Sequence, residues 1–224
     1  MILYFLFALP ALLLGLFAQW KVKSAYSTYT QVTTVRRVTG AQVARQLLDS
    51  QGLQQVEVTE TQGFLSDHYD PRGKVLRLSP EVYRGASVAA AGIAAHEMGH
   101  ALQDAQGYQF LILRSAMVPA VQLGSWVGPL MFFAGLIMRM PGLAWIGLIF
   151  FGATTLFSLI TLPVEFDATK RAKQLLTDQG VLVSNEMEGV NKVLDAAALT
   201  YVAGALQALS TLLYYAFLLV GRRD

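Results

Sequence analysis

The sequence predicts a mainly α-helical integral membrane protein with a small β-sheet and about four helices crossing the bilayer. Three observations carry this. Of 224 residues, 54% are hydrophobic and only 14% charged, against about 25% charged in an ordinary soluble domain. The apolar residues are gathered into four long runs. Between the first and second run lies a polar region whose hydrophobic period switches from helical to alternating and back.

The first run, residues 1–20, is uncharged and long enough as a helix to cross about 30 Å of hydrocarbon. Lys21 and Lys23 follow at once, whereas a cleaved signal peptide carries its positive charge before the apolar run and small residues after it; an uncleaved signal-anchor is expected. The other runs cover about 116–138, 143–162 and 198–220. Arg139 and Met140-Pro141-Gly142 leave room only for a tight turn, so the second and third spans form a hairpin. A buried core helix can be as apolar all round, but four such runs leave too little polar surface in so short a chain to cover them.

Four spans put the polar segments, about 21–115 and 163–197, on one side of the membrane. That side holds all the Lys and Arg residues except Arg139, Arg222 and Arg223. The positive-inside rule makes it cytoplasmic, with the Arg pair in the tail counting mildly against this. No internal repeat or low-complexity linker breaks the chain, which reads as one membrane-embedded unit.

Within the polar region, Thr39 is placed to cap a helix over 40–50, with Val43, Leu47 and Leu48 on one face and Gly52 as its stop. Residues 55–59 alternate like a half-buried strand, and 74–78 read as a second strand after the turn Asp70-Pro71-Arg72-Gly73. Ser79-Pro80-Glu81 places Ser79 as the cap of a short helix, before Pro at its first position. After a break near Gly85, an Ala-rich helix runs over about 87–105, its small residues suited to close packing.

The chain has no cysteine, which excludes disulfides, a thiol nucleophile and sulfur-ligated zinc. A net charge of +2 gives no case for nucleic acid. Any metal must bind through His, Asp or Glu. Two of only three histidines lie in His96-Glu97-Met98-Gly99-His100, an H-E-x-x-H pattern on the Ala-rich helix. Residues four apart share a helix face, so both imidazoles reach one ion, and Glu97 beside them can take a proton from a water that the ion activates. Two histidines and a glutamate in so apolar a helix would be costly to bury without a partner. Zn²⁺ suits imidazole ligands, and a catalytic zinc takes three protein ligands and one open position.

The third ligand is then His68, Glu165 or an Asp. Glu165 is favoured because it follows the third span, where Pro163 can open a helix and the hairpin returns it to the side of His96 and His100. His68, in Ser66-Asp67-His68-Tyr69-Asp70, is the competing ligand, a group behind the ligands or an electrophile near a developing oxyanion. As an ordinary loop histidine it would simply bond a neighbouring carboxylate. Asp167 faces away from Glu165 on a helix and is a poor co-ligand. Asp104, one turn beyond His100, is placed to hold a ligand imidazole by its outer nitrogen.

Longer runs carry a family resemblance. Gly63 with Ser66-Asp67-His68-Tyr69-Asp70-Pro71, Leu76-Arg77-Leu78-Ser79 and Ala94-Ala95-His96-Glu97-Met98-Gly99-His100-Ala101-Leu102-Gln103 resemble the bacterial YugP-type membrane zinc metallopeptidases. So do Thr161-Leu162-Pro163-Val164-Glu165-Phe166-Asp167-Ala168 and Ala196-Ala197-Ala198-Leu199-Thr200-Tyr201-Val202-Ala203, which extend the likeness over nearly the whole chain. That family is similar in plan to the compact gluzincins, such as the HtpX and CAAX-prenyl proteases. The resemblance implies zinc held by His96, His100 and Glu165, Glu97 as general base, a peptide or protein substrate, and a bacterial inner-membrane location. Gluzincins commonly place an Asp four residues after the glutamate ligand, where this chain has Thr169. In such enzymes a strand upstream of the motif helix pairs with substrate backbone, a position matched by residues 74–78.

The expectation is a membrane-bound zinc endopeptidase. Its rival is a non-hydrolytic metal-binding scaffold or chaperone-like protein, which would have no use for a base at Glu97. A transporter is weakened because Arg139 is the one charge between 116 and 162.

Overall fold

A computed structural model describes residues 2–221; Met1, Arg222, Arg223 and Asp224 lie outside the described residues. The chain runs α1 (Ile2–Tyr29), α2 (Gly40–Ser50), β1 (Glu57–Glu60), β2 (His68–Asp70), β3 (Val75–Leu78), α3 (Pro80–Arg84), α4 (Val88–Ala105), α5 (Gln109–Ile137), α6 (Pro141–Asp178) and α7 (Ser184–Val220). It is mainly helical with one small mixed sheet. It divides into two units, the first made of residues up to Ala18, Gln109–Pro163 and residues from Thr200 onward, and the second of Gln19–Tyr108 and Val164–Leu199.

In the first unit, α5, α6 and α7 are long and apolar enough to cross a membrane, three such helices among the described residues where four were expected. The first run does form a helix, α1, but its described side chains begin at Phe7. The uncharged part of it with described side chains, from Phe7 to Trp20, is short of the roughly 20 residues a span needs. The expected first span thus falls partly outside the described residues. Glycines let the α5–α6 hairpin close tightly: a Cβ on Gly135 would meet the Ala144 nitrogen at 2.4 Å, and one on Gly147 the Phe132 nitrogen at 2.4 Å. Phe132 is fully buried and stacks on Tyr215 of α7 with ring centroids 4.3 Å apart. Trp126, Leu130, Ile137 and Ile149 stay exposed, as side chains facing lipid rather than water would be.

In the second unit, the apolar face of α2 (Val43, Leu47, Leu48) packs with Leu76 and Leu78 of β3, Met98 of α4 and Leu176 of α6 in a buried core. Thr39 closes a capping box on α2, its hydroxyl accepting from Gln42 N–H while the Gln42 side chain accepts from Thr39 N–H. Ser87 caps α4 by accepting from Ala90 N–H. Ser79 precedes α3 without capping it, because its N–H and hydroxyl both donate to Asp67.

The sheet order is β1-β3-β2, with β1 parallel and β2 antiparallel to β3. This corrects the expectation for residues 74–78. They form the central strand, so both its edges are consumed within the sheet and neither is left for a substrate. Pro163 also departs from expectation, lying inside α6 rather than opening a new helix. A proline forfeits one hydrogen bond within a helix, a loss that membrane helices tolerate through neighbouring groups.

Candidate metal centre

Helix α4 presents His96 and His100 one turn apart, their rings 4.9 Å between centroids and nearly perpendicular at 84°. Helix α6 brings Glu165 against them. Its Oε2 lies 3.2 Å from His96 Nε2 and 3.6 Å from His100 Nε2. One ligand atom from each of the three residues falls within 4.8 Å of the others. Glu165 is 1% exposed and His100 8%. The approach of α6 depends on Gly99, between the histidines, which packs directly on the Ala168 carbonyl.

The outer faces of the imidazoles are engaged as well. His100 Nδ1 meets Gln103 Oε1 at 3.0 Å, and His96 Nδ1 meets Thr169 Oγ1 at 3.2 Å. Asp104 does not take this part, contrary to expectation. It accepts from the Tyr69 hydroxyl at 2.6 Å and from Lys74, because the 103 position, not 104, faces α6. Asp167 accepts from Gln103 Nε2 at 2.8 Å and from Arg171.

Glu97 follows the first histidine and points to the sheet, where its Oε2 accepts the Tyr69 N–H at 3.1 Å. Tyr69 lies on β2, a strand too short for the sequence pattern to reveal. Burial, and then the hydrogen bond to Asp104, push the Tyr69 phenol far up, so it stays a donor. Burial also raises the Asp67 carboxyl, against the opposing Ser79 donors, with Glu97 adding to the rise. His68 starts β2 exposed, with Nδ1 2.7 Å from the Ser66 carbonyl oxygen, and is not among the three converging groups. A carbonyl can only accept, so Nδ1 carries the hydrogen and Nε2 could donate to an oxyanion only in the imidazolium form.

The donor set fits zinc. Two imidazole nitrogens and one carboxylate oxygen converge, the number and type that catalytic zinc sites use while keeping one position open. Burial alone would lower the His100 pKa, yet the hydrogen bond to Glu165 and the charges of Glu97 and Glu165 outweigh it and raise it. The pocket therefore favours positive charge.

The family model described as "Putative neutral zinc metallopeptidase" matches residues 4–220. The chain is 46% identical over 222 residues, 99% of both chains, to the protein of Bacillus subtilis (strain 168) named "Putative membrane protease YugP". No solved structure matches it. A family match across nearly its full length, together with this relative, places the chain among the proteins described as "Putative neutral zinc metallopeptidase", and it belongs to that family.

Proposed function

We propose that this protein is a membrane-bound zinc endopeptidase on the plan of the compact gluzincins, with His96, His100 and Glu165 as the metal ligands and Glu97 as general base. The observation that carries the reading is the convergence of two Nε2 atoms on Glu165 Oε2, with a carboxylate one residue along held by a main-chain donor. Zinc bound there supplies Lewis acidity toward a peptide carbonyl and toward the water that attacks it.

The chain's own residues do the rest. Glu97 takes a proton from the attacking water as its oxygen bonds to the carbonyl carbon, and returns that proton to the amine nitrogen as the C–N bond breaks. The Tyr69 N–H fixes one oxygen of Glu97, leaving the other for this exchange. Of the two edge strands, β2 is the one that already reaches the base, so it is the strand placed to meet an extended substrate.

Supporting a site at the membrane surface, Glu165 comes three residues after the apolar run 143–162 in the sequence. The charge bias supports a cytoplasmic face for that surface, and the family resemblance supports the bacterial inner membrane. The substrate is a peptide or protein segment near the bilayer.

Replacing Glu97 by Gln tests the mechanism. The variant should keep zinc and lose hydrolysis of an unfolded reporter protein. Undiminished turnover would overturn the role of Glu97, and a wild type that holds zinc without cleaving anything would favour the non-hydrolytic scaffold.

A further inference from the structure

We propose that Gln103 and Thr169 are the positioning residues of the metal centre, and that they give its two imidazoles an uncharged outer shell in place of the carboxylate expected four residues after Glu165. This inference rests on the zinc reading above and concerns what prepares the ligands to bind.

Gln103 is fully buried and makes three bonds. Its Nε2 donates to the Val164 carbonyl and to Asp167 Oδ2, each at 2.8 Å, while its Oε1 faces His100 Nδ1 at 3.0 Å. The reverse orientation of the amide would press its oxygen against two acceptors, so the orientation is dictated. With Oε1 as the acceptor, His100 Nδ1 must carry the hydrogen. In the neutral ring Nε2 then carries the lone pair, on the side of Glu165, as a metal ligand requires.

Gln103 also ties together the two helices that carry the ligands. It sits three residues after His100 on α4, and its amide grips the main chain of α6 at Val164, immediately before Glu165. One side chain thereby sets the tautomer of one ligand and the position of another. Asp167 accepts from Gln103 and from Arg171.

Thr169 takes the corresponding place behind His96. It is one turn beyond Glu165 on α6, 8% exposed, with Oγ1 3.2 Å from His96 Nδ1. A hydroxyl can accept from Nδ1–H, which again frees Nε2 toward Glu165. Neither outer partner is charged. A carboxylate behind an imidazole makes it more basic and a stronger ligand; a hydroxyl and an amide do so less, leaving more of the charge of the ion to act on substrate and water.

The experiment is zinc affinity of the purified full-length protein in detergent, by competition with a chromophoric chelator, with helical circular dichroism to report folding. Thr169→Val keeps the shape and deletes the acceptor, Thr169→Ser keeps the acceptor, and Gln103→Met keeps the length and deletes the amide. We expect Thr169→Val and Gln103→Met each to weaken zinc binding by about 10–100-fold, and Thr169→Ser to stay near wild type. Thr169→Asp should bind zinc more tightly than wild type. Wild-type affinity in a folded Thr169→Val, or equal losses in Thr169→Val and Thr169→Ser, would overturn the proposal. Should Gln103→Met fail to fold, the Thr169 series decides alone. Failure of the wild type to bind zinc would instead overturn the metal reading itself.

Discussion

Gly99 lies so close to the carbonyl oxygen of Ala168 that a Cβ built on it would meet that oxygen at 2.6 Å. The contact joins the turn of α4 between the two histidines to the turn of α6 after Glu165. A main-chain oxygen cannot swing aside as a flexible side chain can, so even one methyl group must push the helices apart. Gly99→Ala should cost about 1–3 kcal/mol of stability, the usual penalty of overpacking, despite the better helix propensity of alanine. It should also weaken zinc binding, because the Glu165 oxygen retreats from both imidazoles. Thermal unfolding and metal content read the two effects. A variant as stable and as zinc-loaded as wild type would show that the close approach does not set the site.

The ligand set has its own test in two substitutions. Glu165→Ala should lose zinc, since it removes the group on which both Nε2 atoms converge. His68→Ala should retain it, since that ring is exposed and bonded to the Ser66 carbonyl. Metal analysis of the two purified variants checks this, and the reverse result would exchange the roles of the two residues.

A pH dependence follows from Asp70. The hydrogen bond from Arg77 at 2.9 Å, and then the N–H groups of Gly73 and Arg72, hold its carboxyl down at about 2, against about 3.9 in an unfolded chain. A folded-state pKa below the unfolded one means that the unfolded chain binds more protons between the two values. The stabilisation is therefore complete above about pH 4 and is lost as pH falls toward 2. Asp67 works in the opposite sense, because its raised pKa gives stability that is lost as pH rises through its folded value. Comparing Asp70→Asn with wild type isolates the first term. Denaturant unfolding in detergent from pH 6 to pH 2 should show wild type losing more stability than the variant; parallel curves would contradict the assignment.

The parts of this protein that depend on neighbours in sequence were legible from it. Thr39 caps the helix it was expected to cap, because a cap needs only the next three residues. The histidine pair was legible for the same reason, one helical turn being a local distance. Glu165 could be proposed from chemistry, as a carboxylate on the right side of a hairpin in a chain without cysteine. What escaped depends on packing between distant segments. β2 has three residues and exists by pairing with β3 and reaching Glu97. The central place of β3 follows from β1 and β2 closing on both its sides, which no period within residues 74–78 can announce. Gln103 reads as an ordinary polar residue near a helix end until α6 packs 61 residues away in sequence. Asp104 was the more attractive neighbour of His100 on charge alone, yet a step of one residue turns a side chain about 100° around a helix, toward Tyr69. Thr169 read as a missing carboxylate, and only the packing of α6 on α4 brings its hydroxyl to 3.2 Å from His96 Nδ1.

The central claim, that one zinc held by His96, His100 and Glu165 drives peptide hydrolysis, is tested most directly by stoichiometric reconstitution. Zinc is stripped from the full-length protein in detergent with a chelator and added back in steps, while cleavage of a fluorescently labelled unfolded protein is followed. Activity should vanish on stripping and return in proportion to added zinc, levelling at one ion per chain. Cleavage that survives complete removal of zinc, or that returns equally in Glu165→Ala, would contradict the account.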